Sequence, residues 1–91
     1  MYYTYILECA DQTLYTGCTN DLVKRFKEHN ESRRGAHYTK IRRPVTLVYA
    51  EIFASLTAAR AREAEIKRFS REEKLQFISR KHSRIIKDSL A

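Results

Sequence analysis

Two runs rich in Tyr, Thr, Ile and Leu, residues 2–9 and 13–19, are separated only by Ala10-Asp11-Gln12. So brief a connection turns the chain straight back, and the two runs predict an antiparallel β-hairpin. Strand side chains alternate with a period of two, so loop length decides which faces meet. A three-residue loop pairs Cys9 with Thr13, Leu7 with Tyr15 and Tyr5 with Gly17, and this register sets Tyr5 and Tyr15 on one face. A two-residue loop would set them on opposite faces.

Beyond the hairpin, Asn20-Asp21 supplies an N-cap and a first-turn acid for a helix whose apolar stripe holds Leu22 and Phe26 and which ends near Asn30. Arg25 and His29 lie one turn apart beside that stripe. Residues 31–44 have no legible period and carry Arg33, Arg34, His37, Lys40, Arg42 and Arg43 around Gly35 and Tyr38. They predict a long basic loop, either functional or merely solvated. Residues 45–53 alternate, and are β-branched enough, to form a third strand behind Pro44.

A second helix is expected over residues 55–69, with Leu56, Ala59, Glu63, Ile66 and Phe69 spaced three and four apart. Ser70-Arg71-Glu72-Glu73 is a capping box that opens a third helix bearing Leu75 and Ile78. Past Arg80 basic residues alternate with Ile85, Ile86 and Leu90. With no Pro-, Gly- or Ser-rich linker in 91 residues, the expectation is one domain over residues 1–80 and a basic tail over 81–91. Its class is α/β (α+β): a three-stranded, mainly antiparallel sheet flanked by helices in the order β-β-α-β-α-α.

Eighteen Lys and Arg against eleven acids give a formal charge of +7. Clustered as they are, these cations predict a phosphate-bearing partner, with plain solubility as the alternative. Two cysteines, Cys9 and Cys18, are too few for a disulfide scaffold and lack zinc-ligand spacing, so both are expected as reduced packing residues. No apolar run approaches the roughly 20 residues of a membrane span, and the N-terminus lacks a secretory signal pattern. A cytoplasmic location without membrane contact is expected.

Glu63 is the sharpest single clue, because an ionised acid on a core-facing stripe is costly unless it is paired or coordinates something. Lys67, four residues on, or Arg60 would pair it. A single carboxylate otherwise suits Mg²⁺, which keeps most of its waters, better than Ca²⁺. Arg25 offers a planar fork for phosphate oxygens, or is an ordinary surface arginine. His29 could hold a phosphate or shuttle a proton, or be merely half-buried. Tyr5 and Tyr15 taken singly are ordinary strand residues, and a phenol would need a cation, a metal or a relay to act as a base. Gly17 leaves room beside Tyr5 for a phosphate or an attacking water, or marks a bulge or a bend before the helix.

Taken in order, the chain reads Tyr-Ile-Leu, Leu-Tyr-Thr-Gly, Leu-x-x-Arg-x-x-x-His-Asn and Arg-Glu-Ala-Glu-Ile-Lys. In this it resembles the GIY-YIG nuclease superfamily over residues 2–80, and more narrowly its small stand-alone bacterial subgroup, related to the nuclease module of the excision-repair endonuclease. The first motif reads Tyr3-Thr4-Tyr5 where the family label has Gly-Ile-Tyr, and Thr16 replaces the isoleucine of the second. No Asn beyond Asn30 matches the asparagine many relatives carry after the metal-binding helix.

The resemblance implies a shallow catalytic face on the sheet, with Tyr5, Tyr15, Arg25 and His29 as catalytic residues and Glu63 as the single metal ligand for Mg²⁺ or Mn²⁺. The expected activity is endonucleolytic hydrolysis of a nucleic acid, with DNA foremost, in repair or processing, without an obligate protein partner. Gly17, Arg33, Arg34, His37, Tyr38, Lys40, Arg42, Arg43 and Lys67 are the expected nucleic-acid contacts. The alternatives are a nucleic-acid-binding module with weak or no turnover, and an interaction domain for an acidic protein.

Overall fold

The computed structural model describes residues 1–80, and the tail assigned to residues 81–91 lies outside them. Strand β1 (Tyr2–Glu8) is central, with β2 (Leu14–Thr19) and β3 (Thr46–Phe53) both antiparallel to it. Helices α1 (Leu22–Glu31), α2 (His37–Lys40), α3 (Leu56–Lys67) and α4 (Arg71–Arg80) complete the described chain.

The three-residue loop forms as its length requires. Cys9 N–H donates to Thr13 O at 2.9 Å, Gln12 N–H donates to Cys9 O at 2.8 Å, and the register sets Leu7 opposite Tyr15 and Tyr5 opposite Gly17. Gln12 takes the left-handed conformation this loop demands (φ 69°). The Asp11 carboxylate fixes the exit by accepting from the Thr13 amide at 3.1 Å and its hydroxyl at 2.6 Å.

Alternation along β1 then builds two cores. Tyr5, Leu7 and Cys9 face one side and pack with Leu22 and Phe26 of α1, Val45, Leu47 and Ala50. Ile6 faces the other side, with Tyr49, Ile66 of α3 and Phe77 of α4. Each such large side chain removed from water contributes about 1.5–3 kcal/mol. Helix α3 lies across β1 and β2 on that second side, where the Thr4 hydroxyl donates to Ala59 O at 2.6 Å.

The helix starts are local chemistry. Asp21 itself caps α1, accepting from Lys24 N–H at 3.1 Å, so it is the N-cap and not the first-turn acid expected. Ser55 caps α3 through Ala58 N–H at 3.1 Å. The capping box of α4 closes both ways, Glu73 N–H to Ser70 Oγ at 3.1 Å and Ser70 N–H to Glu73 Oε1 at 2.8 Å. Phe77 is the buried residue of α4, edge-on to Tyr49 with centroids 4.9 Å apart, while Leu75 and Leu56 are exposed despite their stripe positions.

The expected basic loop is the main departure, because side-chain bonds order it around α2. Arg43 ends α1 by donating Nε–H to His29 O at 2.6 Å and Nη2–H to Glu28 O at 3.0 Å and Ser32 O at 2.6 Å. Glu28 O and Ser32 O also accept from Ser32 N–H at 3.0 Å and Gly35 N–H at 3.2 Å, so the guanidinium completes a cap that the backbone begins. Asn30 ties the same end to β3, accepting from Val45 N–H at 2.7 Å and donating to Val45 O at 3.1 Å. Arg42 donates to Asp11 Oδ2 and to Tyr38 O, each at 3.0 Å, and stacks 3.9 Å over the Tyr38 ring.

Candidate active site on the hairpin face

Because Tyr5 and Gly17 are register partners, the Tyr5 ring reaches across β2 directly over the glycine. A Cβ on residue 17 would lie 2.5 Å from Tyr5 Cζ and collide with its hydroxyl. The space expected for a phosphate or water beside Gly17 is therefore filled by the phenol itself. Only a residue without a side chain lets the ring lie there.

Tyr5 is 2 % exposed, and its hydroxyl lies 2.8 Å from His29 Nε2. The other ring nitrogen, Nδ1, lies 2.7 Å from the Thr39 hydroxyl, and both His29 and Thr39 are fully buried. Helix α1 aims His29 at the sheet one turn after Arg25, and α2 delivers Thr39 from the far side. Tyr15 joins the group on the same face, its ring centroid 6.5 Å from Tyr5, 5.1 Å from His29 and 5.9 Å from Tyr38. Tyr15 is only half-buried, and no protein hydrogen bond of its hydroxyl is seen among the described residues.

Burial pushes the Tyr5 phenol well above the ordinary phenol range, with Tyr15 and Glu63 adding to the rise and Arg25 opposing it. His29 is held down to about 4, first by burial and then by the Arg25 and Arg43 charges, against Glu28. At neutral pH the pair is therefore a protonated phenol beside an uncharged imidazole. With both nitrogens engaged and no exposure, His29 does not hold a phosphate; its geometry suits proton transfer with Tyr5.

The half-buried Arg25 guanidinium donates from Nη1 to Glu28 Oε1 at 3.1 Å and to Arg34 O at 2.7 Å, and its charge acts on Tyr5. It also borders an open cleft of about 400 Å³ with Thr19, Asn20, Asp21, Lys24 and Glu28. Arg25 thus joins the buried phenol to the solvent side.

Glu63 lies between the buried Ala59 and Ile66 on α3 and is itself half-buried, paired with the exposed Lys67 at 3.0 Å. The ion pair weighed as an alternative is thus present. The carboxylate raises Tyr5 on one face of the hairpin and, after burial, Cys18 on the other. Among the described residues no three His, Cys, Asp or Glu side chains gather as a metal cage. A lone, partly accessible carboxylate with an exchangeable surface partner is a donor set that fits Mg²⁺ or Mn²⁺, ions that keep most of their waters.

The expected contact residues divide. Arg33, Arg34, His37, Lys40 and Lys67 are exposed. Arg42 and Arg43 are occupied by protein acceptors, and Tyr38 lies beneath Arg42, so these three serve the fold around α2. Sequence reasoning missed Thr39 and Asn30, whose bonds span 10 and 15 positions and leave no periodic trace. Cys9 is buried and Cys18 half-buried, and both thiols are free. No helix among the described residues is long and apolar enough to cross a membrane.

A family model described as the GIY-YIG catalytic domain matches residues 1–76. The chain is 54% identical over 83 residues to the UPF0213 protein of Syntrophus aciditrophicus, covering 91% of this chain and 95% of that one. It is likewise 54% identical over 78 residues to a UPF0213 protein of Staphylococcus saprophyticus, covering 86% of this chain and 94% of that one. The solution NMR structure of the UPF0213 protein BH0048 from Bacillus halodurans matches with a TM-score of 0.61 and 41% identity, covering 100% of this chain and 98% of that one.

Proposed function

The chain belongs to the GIY-YIG catalytic-domain family, and from that premise we propose that it is a divalent-metal-dependent endonuclease that hydrolyses nucleic-acid phosphodiesters, DNA foremost. One observation carries the reading: the Tyr5 hydroxyl lies 2.8 Å from His29 Nε2 with the Tyr15 ring beside both, one helical turn from Arg25 on α1. A cation and a proton-accepting pair are two of the parts needed to hydrolyse a phosphodiester, and Glu63 on α3 would supply the third, a carboxylate for a metal ion.

Tyr15, the less buried phenol, orients the attacking water. Burial makes a standing Tyr5 phenolate costly, so Tyr5 works as a relay: it takes the water's proton on its oxygen as its own proton passes to His29 Nε2. The proton rests briefly on the imidazole, which burial makes a ready donor back to solvent, and the hydroxide bonds to phosphorus as the bond to the 3′ oxygen breaks and that oxygen takes a proton from water. Arg25 neutralises the charge that grows on the non-bridging oxygens. Glu63 would hold Mg²⁺ or Mn²⁺, which when bound supplies charge stabilisation for the departing oxygen. The exposed Arg33, Arg34, His37, Lys40 and Lys67 would supply the charge that attracts the polyanion.

The burial of Tyr5 favours a second reading, a module that binds nucleic acid with little or no turnover. A panel of single-stranded, duplex, flapped and junction DNA and RNA, incubated with Mg²⁺, Mn²⁺ or EDTA, separates the two. The nuclease reading expects cleavage of at least one substrate that EDTA abolishes; salt-sensitive binding without any nick supports the second.

A further inference from the structure

We propose that Thr39 is a positioning residue that sets the tautomer of His29, keeping hydrogen on Nδ1 so that Nε2 stands ready as the acceptor for the Tyr5 hydroxyl. The kinetic side of this rests on the nuclease reading, but the tautomer itself does not.

Both ends of the hydrogen-bond chain bear on this tautomer. A threonine hydroxyl has one hydrogen and two lone pairs. That of Thr39 lies 2.9 Å from Ala36 O, the bond back along the turn that threonine commonly makes from the first residues of a helix. With its hydrogen so placed, Thr39 Oγ1 can only accept from His29 Nδ1, 2.7 Å away. At the other end, Tyr5 is almost fully enclosed and its hydroxyl hydrogen needs an acceptor. His29 Nε2 at 2.8 Å is that acceptor only if it carries no hydrogen. Both ends select the same neutral imidazole, Nδ1–H with a bare Nε2.

The surroundings hold this choice in place. Thr39 is the buried residue of α2. That single turn is bracketed by the Arg42 bonds to Tyr38 O and Asp11 and by the Arg43 cap on α1. The charged groups acting on His29 are Arg25, Glu28 and Arg43. None of them lies between the ring and Thr39 in the chain of bonds just described. The segment that reads as a featureless basic loop therefore orients the imidazole, as a carboxylate or carbonyl does behind other catalytic histidines.

The test uses the full chain labelled with ¹⁵N, without substrate, near pH 7. Long-range ¹H–¹⁵N correlations report which His29 nitrogen is protonated. Wild type and Thr39→Ser are expected to show Nδ1–H, and Thr39→Val, which has nearly the same shape but no acceptor, to lose that signature in favour of Nε2–H or a mixture. Wild type showing Nε2–H would overturn the proposal without any variant, as would Thr39→Val keeping the wild-type pattern. On a cleaved substrate, Thr39→Val should lower kcat about tenfold or more with KM unchanged, and Thr39→Ser should restore it. A rise in KM alone would contradict the role. Should no substrate be cleaved, the nitrogen spectra still decide what Thr39 does, and the nuclease reading fails separately.

Discussion

The Tyr5 hydroxyl and His29 Nε2, 24 positions apart in sequence, lie 2.8 Å apart with both side chains almost wholly enclosed. Removing the hydroxyl by Tyr5→Phe keeps the ring over Gly17 but leaves a buried nitrogen without its donor, which costs about 1–3 kcal/mol. Denaturant unfolding should show that loss. Cleavage should fall about 100-fold or more with binding little changed, since only the relay is removed. Wild-type turnover in Tyr5→Phe would assign the proton to another group.

Gly17→Ala should destabilise the protein by about 1–3 kcal/mol, because the new methyl collides with the Tyr5 ring. Since the collision involves Cζ as well as the hydroxyl, Tyr5→Phe should not relieve it, whereas the shorter Tyr5→Leu should recover part of the loss. A double-mutant cycle of unfolding free energies checks this, and strict additivity would place the strain elsewhere.

The pH dependence has a definite sign. His29 has a folded value of about 4 against roughly 6.5 in the unfolded chain, so between these values the unfolded state binds more protons. Its contribution to stability is complete above about 6.5 and is lost as pH falls toward 4, by about 3 kcal/mol at most. Below 4 no further loss comes from this group. Stability profiles of wild type and His29→Gln should converge across that window, and parallel profiles would mean the imidazole is not held neutral.

The basic residues should separate by role. Arg43→Ala removes the donor to three main-chain carbonyls and should destabilise by about 2–3 kcal/mol, with Arg43→Lys a poor replacement because an ammonium lacks the planar fork. Single alanine variants of the exposed Arg33, Arg34 and Lys40 should leave stability within about 0.5 kcal/mol. Each of those that touches a phosphate should lower the salt slope of nucleic-acid binding by about 0.9. Unfolding curves and binding titrations at several salt concentrations test both halves.

What sequence could reveal here depended on how far each interaction reaches. The hairpin register followed from a three-residue loop, and Ser55 and Ser70 announced the two later helices, because these are bonds between near neighbours. The shared face of Tyr5 and Tyr15 came from the same short-range rule. Helix α2 was illegible, since its four residues, His37–Lys40, are too few to show a period. The roles of Arg43, Asn30 and Thr39 were hidden for a different reason: each is one side chain bonding groups 10 to 15 positions away. Charge alone made Arg42 and Arg43 look like Arg33 and Arg34, and only their acceptors tell them apart. The single-residue reading of Glu63 offered an ion pair or a ligand, and the bond to Lys67 realises the pair while leaving the carboxylate partly accessible.

The most direct test of a nuclease centred on Glu63 is single-turnover cleavage with Mg²⁺ by wild type and Glu63→Gln, at protein concentrations that bind the substrate equally. The amide keeps the shape of the side chain and loses the charge a cation needs. A loss of about 100-fold or more in rate with binding unchanged is the predicted result. Equal rates for the two proteins would contradict the assignment of Glu63 and the mechanism built around it.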